Sequence, residues 1–176
     1  MMPEATDFPS MLSSYELFGF MSPALALEIV ESSFANNKEL YKATLAAVAD
    51  ARKVRPVFLE RKPRADRHRD MIDMLCRPRM NVAAATLIRG WLMKNEAALL
   101  GDFLDALGIE HKDGAVDDLP QTIEDDKLKA AIQVILEKHP AEKVAVYLNA
   151  FAEMNEVDWP NLKTALDAEP RLQLGG

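Results

Sequence analysis

Three histidines, one cysteine and a run of arginines are the residues of this chain whose chemistry could matter most. His68, His111 and His139 include no pair at i, i+4 and no His-Glu-x-x-His, so a helical zinc site of that type is not expected. His68 sits in Asp66-x-His68-x-Asp70, and residues two apart on a helix diverge, so these three cannot meet on one metal. Glu110-His111-Lys112-Asp113-Gly114-Ala115-Val116-Asp117-Asp118 gathers carboxylates, a histidine and a glycine turn. It lacks the alternating oxygen ligands and the terminal bidentate acid of a calcium loop. It reads as a solvated turn, yet it is the best single place for an enzymatic or metal site, because polar loops on a rigid scaffold carry function. Cys76 is followed by Arg77 and Arg79, and cationic neighbours favour a thiolate. A buried, inert cysteine is the expected state. These patterns assign no catalytic residue, no metal ligand and no cofactor.

Charge is the more informative feature. Residues 52–79 hold ten Lys or Arg against four Asp or Glu, a local net of +6. The whole chain carries −7, so the remainder carries −13. The cations are Arg52, Lys53, Arg55, Arg61, Lys62, Arg64, Arg67, Arg69, Arg77 and Arg79. Arginine dominates, and its planar fork suits carboxylate or phosphate. Three outcomes compete: neutralisation by acids of the same molecule, contact with an acidic protein partner or a second copy, and contact with a nucleic-acid backbone. A sequence pI near 5.0 opposes the last, as does the lack of aromatics interleaved among the arginines, where Phe58 stands alone. Arg61, Lys62, Arg64, Arg67, Arg69, Arg77 and Arg79 are the expected partner-binding residues.

The elements that must carry these residues are helical. Hydrophobic residues make up 49% of 176 and glycines number only seven, a balance that favours helix and a packed core. Apolar residues recur at helical spacing: Met11, Tyr15 and Phe18; Ala26, Val30 and Phe34; Tyr41, Leu45 and Val48. Ser22-Pro23 reads as a cap followed by proline in the first turn. Residues 56–63 read as a proline-bracketed break, followed by a charged helix over 64–77 that Pro78 stops. Asn81 is expected to cap a helix with Ala84, Ile88, Trp91 and Leu92 inward. Leu99, Leu100, Phe103, Leu104 and Leu107 make the cleanest stripe, ended by Gly108. Thr122-Ile123-Glu124-Asp125 resembles a weak capping box ahead of Leu128, Ile132 and Ile135. Pro140 opens a helix with Val144, Tyr147, Leu148 and Phe151, and Asp158-Trp159-Pro160 starts a last short one. Trp91 and Trp159 are expected as core or rim aromatics.

The stretch from Leu87 to Leu107 aligns without a gap on Ala131 to Phe151, 44 residues on, a period in the range of HEAT and armadillo repeats. Shared helical periodicity alone produces the same alignment. The expectation is an all-α fold of about eight or nine helices: an irregular bundle or a short, HEAT-like solenoid of antiparallel helix pairs. One helical domain spans 1–176, subdivided into 1–55, a basic segment 56–80, 81–170 and a tail 171–176.

Arg171-Leu172-Gln173-Leu174-Gly175-Gly176 resembles the Gly-Gly tail of ubiquitin-like modifiers. That family carries the tail on a β-grasp fold, whereas this chain reads helical, so a frayed terminus is expected. One cysteine makes no internal disulfide. The start, Met1 to Asp7, lacks the basic and apolar regions of a leader, and no apolar run reaches membrane-spanning length. A cytoplasmic, non-enzymatic interaction module follows as the leading expectation, with no membrane contact. A binder of nucleic-acid backbones through the same arginines is the alternative, and an enzyme or metal site in 110–118 the weaker one.

Overall fold

The computed structural model describes residues 11–175. The N-terminal stretch read above for a leader, and Gly176, lie outside them. The fold is all-α: 74% of the described residues are helical, with ten α-helices among them, nine of seven residues or more. They are α1 (Ser14–Phe20), α2 (Pro23–Asn36), α3 (Lys38–Ala51), α4 (Pro56–Glu60), α5 (Arg64–Leu75), α6 (Asn81–Asn95), α7 (Ala97–Leu107), α8 (Asp125–Lys138), α9 (Ala141–Asn155) and α10 (Pro160–Ala168). Short 3-10 turns occupy Pro78–Met80 and Pro170–Leu172. No strand occurs among the described residues, only an isolated bridge between Lys112 and Ala115. No described helix is long and apolar enough to cross a membrane.

Local chemistry sets many of the boundaries. Ser22 Oγ accepts the Leu25 N–H at 3.2 Å with Pro23 in the first turn of α2. Asn37 ends α2 and caps α3 through the Leu40 N–H at 3.3 Å. Gly108 closes α7 in the left-handed conformation, φ 72°. Helix α6 is the hub: α1, α2, α3, α5, α7 and α9 all pack against it. Its inward residues Ala84, Leu87, Ile88, Trp91 and Leu92 belong to a core that runs from Leu17 to Leu172. Helices α7 and α8 pack against each other, and His139 Nε2, just past the end of α8, lies 2.8 Å from Asp102 Oδ2 in the middle of α7. Lys143 on α9 reaches Glu28 and Glu96, each at 3.0 Å, and so joins α9 to α2 and to the α6–α7 junction.

Several local expectations are corrected. Residues 56–60 are not a break but one helical turn, because Pro56 starts it in the preset φ and Leu59, 1% exposed, anchors it to the core. Helix α5 ends at Leu75, two residues earlier than expected. Asn81 does not cap α6: it lies inside the helix, and its Oδ1 accepts the Tyr15 N–H at 3.0 Å. Thr122 caps nothing, since α8 starts at Asp125 after Glu124. Cys76, expected buried, is exposed, because it falls in the turn after α5. The tail is not frayed over its described part: Leu172 is buried and Leu174 half-buried against the core. Both tryptophans are core residues, and Trp159 Nε1 donates to the Pro120 carbonyl at 2.9 Å.

Candidate interaction surface

Helix α4 is too short to bury more than one face. Leu59 points inward, and the opposite side presents Val57 at 38% and Phe58 at 55% exposure, with Val54 exposed just before them. Arg55 and Arg61 bracket this apolar knuckle. The exposed side chains of Lys53, Arg55 and Arg61 have no hydrogen-bond or carboxylate partner among the described residues. A greasy knuckle flanked by unpartnered cations is an unusual surface for a chain to leave in water.

The other cations have occupations. Arg52 reaches Asp70 at 3.0 Å, and Lys62 contacts the same carboxylate, so Lys62 and Arg52 hold Asp70 below its ordinary value despite its partial burial. Arg69 pairs with Asp66 at 2.5 Å, one turn away. Arg64 lies over the Phe34 ring at 5.2 Å, with Glu31 at 3.8 Å. Arg77 donates to the Asp73 carbonyl at 3.4 Å. Arg79 donates to the Ala51 carbonyl at 3.0 Å and so stabilises the negative end of α3. The seven expected partner-binding residues therefore do not form one free patch. Among the described residues Arg61 is the one of the seven without a partner, while Lys62, Arg64 and Arg69 pair with carboxylates and Arg67, Arg77 and Arg79 serve the fold.

Arg67 belongs to a buried polar chain. Its Nε donates to the Tyr41 hydroxyl oxygen at 2.7 Å, and its Nη1 donates to the Glu60 carbonyl at 3.1 Å. The Tyr41 hydroxyl lies 2.8 Å from His68 Nε2. On the far side of the ring, His68 Nδ1 stands 2.6 Å from Glu31 Oε2, a close contact without hydrogen-bond geometry, and neither atom makes a hydrogen bond among the described residues. One proton order fits these contacts: Arg67 donates to Tyr41, Tyr41 donates to His68 Nε2, and His68 Nδ1–H lies beside the carboxylate. His68 is fully buried, and burial lowers its pKa below 6.5, with Arg67 and Arg64 acting in the same direction against Glu31. Burial likewise raises the Tyr41 hydroxyl, so this tyrosine is not an activated nucleophile.

A groove runs between α3 and α6. At one end Leu40 packs onto Gly90 so closely that a Cβ there would stand 2.5 Å from Leu40 Cδ2. Toward the other end, Arg79, Lys53 and Asp50 line the mouth. Leu40, Ala43, Ala47, Ala51, Met80, Val82 and Ala83 supply its apolar lining around a cavity of about 450 Å³. Val82, in the first turn of α6, is 80% exposed. The sequence reading missed this feature. Its signal was a second stripe on α3, Ala43-Ala47-Ala51, off the inward face of Tyr41, Leu45 and Val48.

The 110–118 loop lines an open bowl of about 1060 Å³ with Lys112, Asp117, Glu124 and Lys127 on its wall. His111 is committed to the loop itself. Its Nδ1 accepts the Gly114 N–H at 3.0 Å, so Nε2 carries the proton toward Asp105 Oδ1 at 2.7 Å. Among the described residues no three His, Cys, Asp or Glu side chains are grouped to hold a metal ion. Gly114 has φ +88°, and a Cβ there would stand 2.7 Å from Leu100 Cβ. Gly114→Ala is therefore expected to lower stability by about 2 kcal/mol, read as a shifted urea midpoint with an unchanged slope. An unchanged midpoint would mean that the loop is not held in this geometry.

Comparison with known protein families, with curated proteins and with solved structures finds no match for this chain.

Proposed function

We propose that this chain is a non-enzymatic protein-interaction module whose contact surface is the basic segment 52–79, centred on the knuckle at 54–61, and whose partner is an acidic protein. One observation carries the reading: Val54, Val57 and Phe58 are exposed beside Lys53, Arg55 and Arg61, cations with no carboxylate of their own among the described residues. Apolar anchors ringed by charge are how protein contacts combine burial with partner choice. The paired cations of the segment keep the knuckle rigid, and the remaining net positive charge favours an acidic face.

The combined change Arg55→Glu, Phe58→Ser, Arg61→Glu tests this. All three side chains are exposed, so the melting curve and circular dichroism are expected to stay unchanged. Acidic proteins retained by the wild-type chain should bind the variant about 100-fold more weakly, the loss of roughly 2–3 kcal/mol expected for an aromatic anchor and two charges. If every retained protein holds on equally to the variant, the reading fails. The competing occupant of the same cations is a nucleic-acid backbone. Oligonucleotide binding that falls steeply with salt, in the absence of a protein partner, would establish that reading instead.

A further inference from the structure

We propose that the groove between α3 and α6 holds a single amphipathic helix of a partner protein, laid with its apolar face on the alanine floor and its acidic end on Lys53 and Arg79. The proposal rests on the interaction-module reading and adds to it where the partner sits and what shape it has. Three observations carry it.

The first is length. From Leu40 to Ala51 the groove follows α3 for three turns, about 16 Å at 1.5 Å per residue. That is the span over which a helix presents anchors at i, i+4, i+7 and i+11. The second is lining. Ala43, Ala47 and Ala83 keep the floor low enough for a helix to approach, and Val82 stands 80% exposed at its edge, in reach of an apolar anchor. Among the described residues no aromatic side chain lines the groove, which gives a base no stacking platform there. The third is charge. The open end carries Lys53 and Arg79 beside the carboxylate of Asp50, while at the closed end, at Leu40 and Gly90, the neutral Asn37 approaches Gly90 and the nearby Lys94 is tied to the Asn36 carbonyl. This asymmetry sets the direction of the guest: carboxylates in its first turn, which also complement its own helix dipole, lie at the cationic mouth.

The test uses the full chain and a synthetic helical peptide of about 18 residues, with leucines at i, i+4, i+7 and i+11 and glutamates in its first turn. A twin peptide carries lysines in place of the glutamates. Fluorescence anisotropy should show saturable binding of the acidic peptide, about 10-fold weaker binding of the lysine twin, and weakening of the acidic peptide with added salt. Ala47→Trp, which fills the floor, and Val82→Asp, which places a like charge at the edge, should each weaken binding at least about 10-fold. Val82 is exposed, so its variant keeps the test valid if Ala47→Trp fails to fold. Phe58→Ser should leave peptide affinity within about twofold, since Phe58 does not line the groove.

Failure to bind either peptide overturns the groove proposal, and so does equal binding of both with no effect of the groove variants. Either result leaves the knuckle reading standing, because that reading is tested by its own variant. Loss of peptide binding on Phe58→Ser alone would also overturn it, by placing the contact on the knuckle. Sedimentation showing a dimer that Val82→Asp dissociates would overturn it in favour of a second copy.

Discussion

His68→Ala is expected to destabilise the fold by about 3 kcal/mol at neutral pH, because it empties a fully buried site and leaves the buried Tyr41 hydroxyl without its ring partner, while half-buried Glu31 loses the nitrogen facing it. The size of the effect comes from burial: the ring is fully enclosed and packed edge-on to Phe34 and Tyr41 at 5.5 and 5.4 Å. A pH signature separates this from a simple cavity. The folded His68 has its pKa below 6.5, the value it regains on unfolding. Between those two values the unfolded chain binds the extra proton and the folded chain does not, so stability falls as pH drops. The contribution is complete above about pH 6.5 and is lost progressively as pH falls from there toward the folded pKa. Urea unfolding of the wild type between neutral and mildly acid pH should show this slope, and His68→Gln should flatten it. Equal slopes in the two proteins would mean that His68 is not held neutral.

Phe151→Ala is expected to cost about 4 kcal/mol, the range for removing a fully buried aromatic ring. Phe151 is 0% exposed and touches three other rings: Phe103 at 5.5 Å, Tyr147 at 5.7 Å and Trp159 at 5.1 Å between centroids. These rings join α7, α9 and the start of α10, and the edge-on geometry of the Phe103 and Tyr147 pairs adds to their area burial. Thermal unfolding should shift by well over the change seen with Phe151→Leu, which keeps most of the volume. Equal shifts for Ala and Leu would contradict a close-packed aromatic cluster at this position.

How much of this could be seen in the residues alone differs from place to place. The stripe from Leu99 to Leu107 and the stop at Gly108 were legible, because helix hydrogen bonds and the 3.6-residue period are local properties. The turn at 56–60 was not: two bracketing prolines suggest a break, whereas Pro56 starts a helical turn that the burial of Leu59 in the core anchors. The +6 of residues 52–79 was legible as a sum, but a sum does not say which cations are spent. Asp70 and Asp66, inside the segment, and Glu31, far from it in sequence, take up Arg52, Lys62, Arg69 and Arg64 and leave Arg55 and Arg61 outward. His68, read only as part of the charged run Asp66-x-His68-x-Asp70, lies inward, where Tyr41 and Glu31 on neighbouring helices face its two nitrogens. The groove escaped notice for a similar reason, since alanines on α3 are unremarkable until α6 stands beside them.

The sequence by itself determined that this chain would fold into helices with stripes to bury, and that its positive charge would be concentrated in one segment. Both follow from short-range rules and from counting. Tertiary structure alone decided which arginines remain unpartnered, which histidine is dry, and where two helices part to leave an open apolar floor. Those outcomes depend on which side chains meet across elements distant in the chain, and burial and pairing energies exist only once those elements are packed.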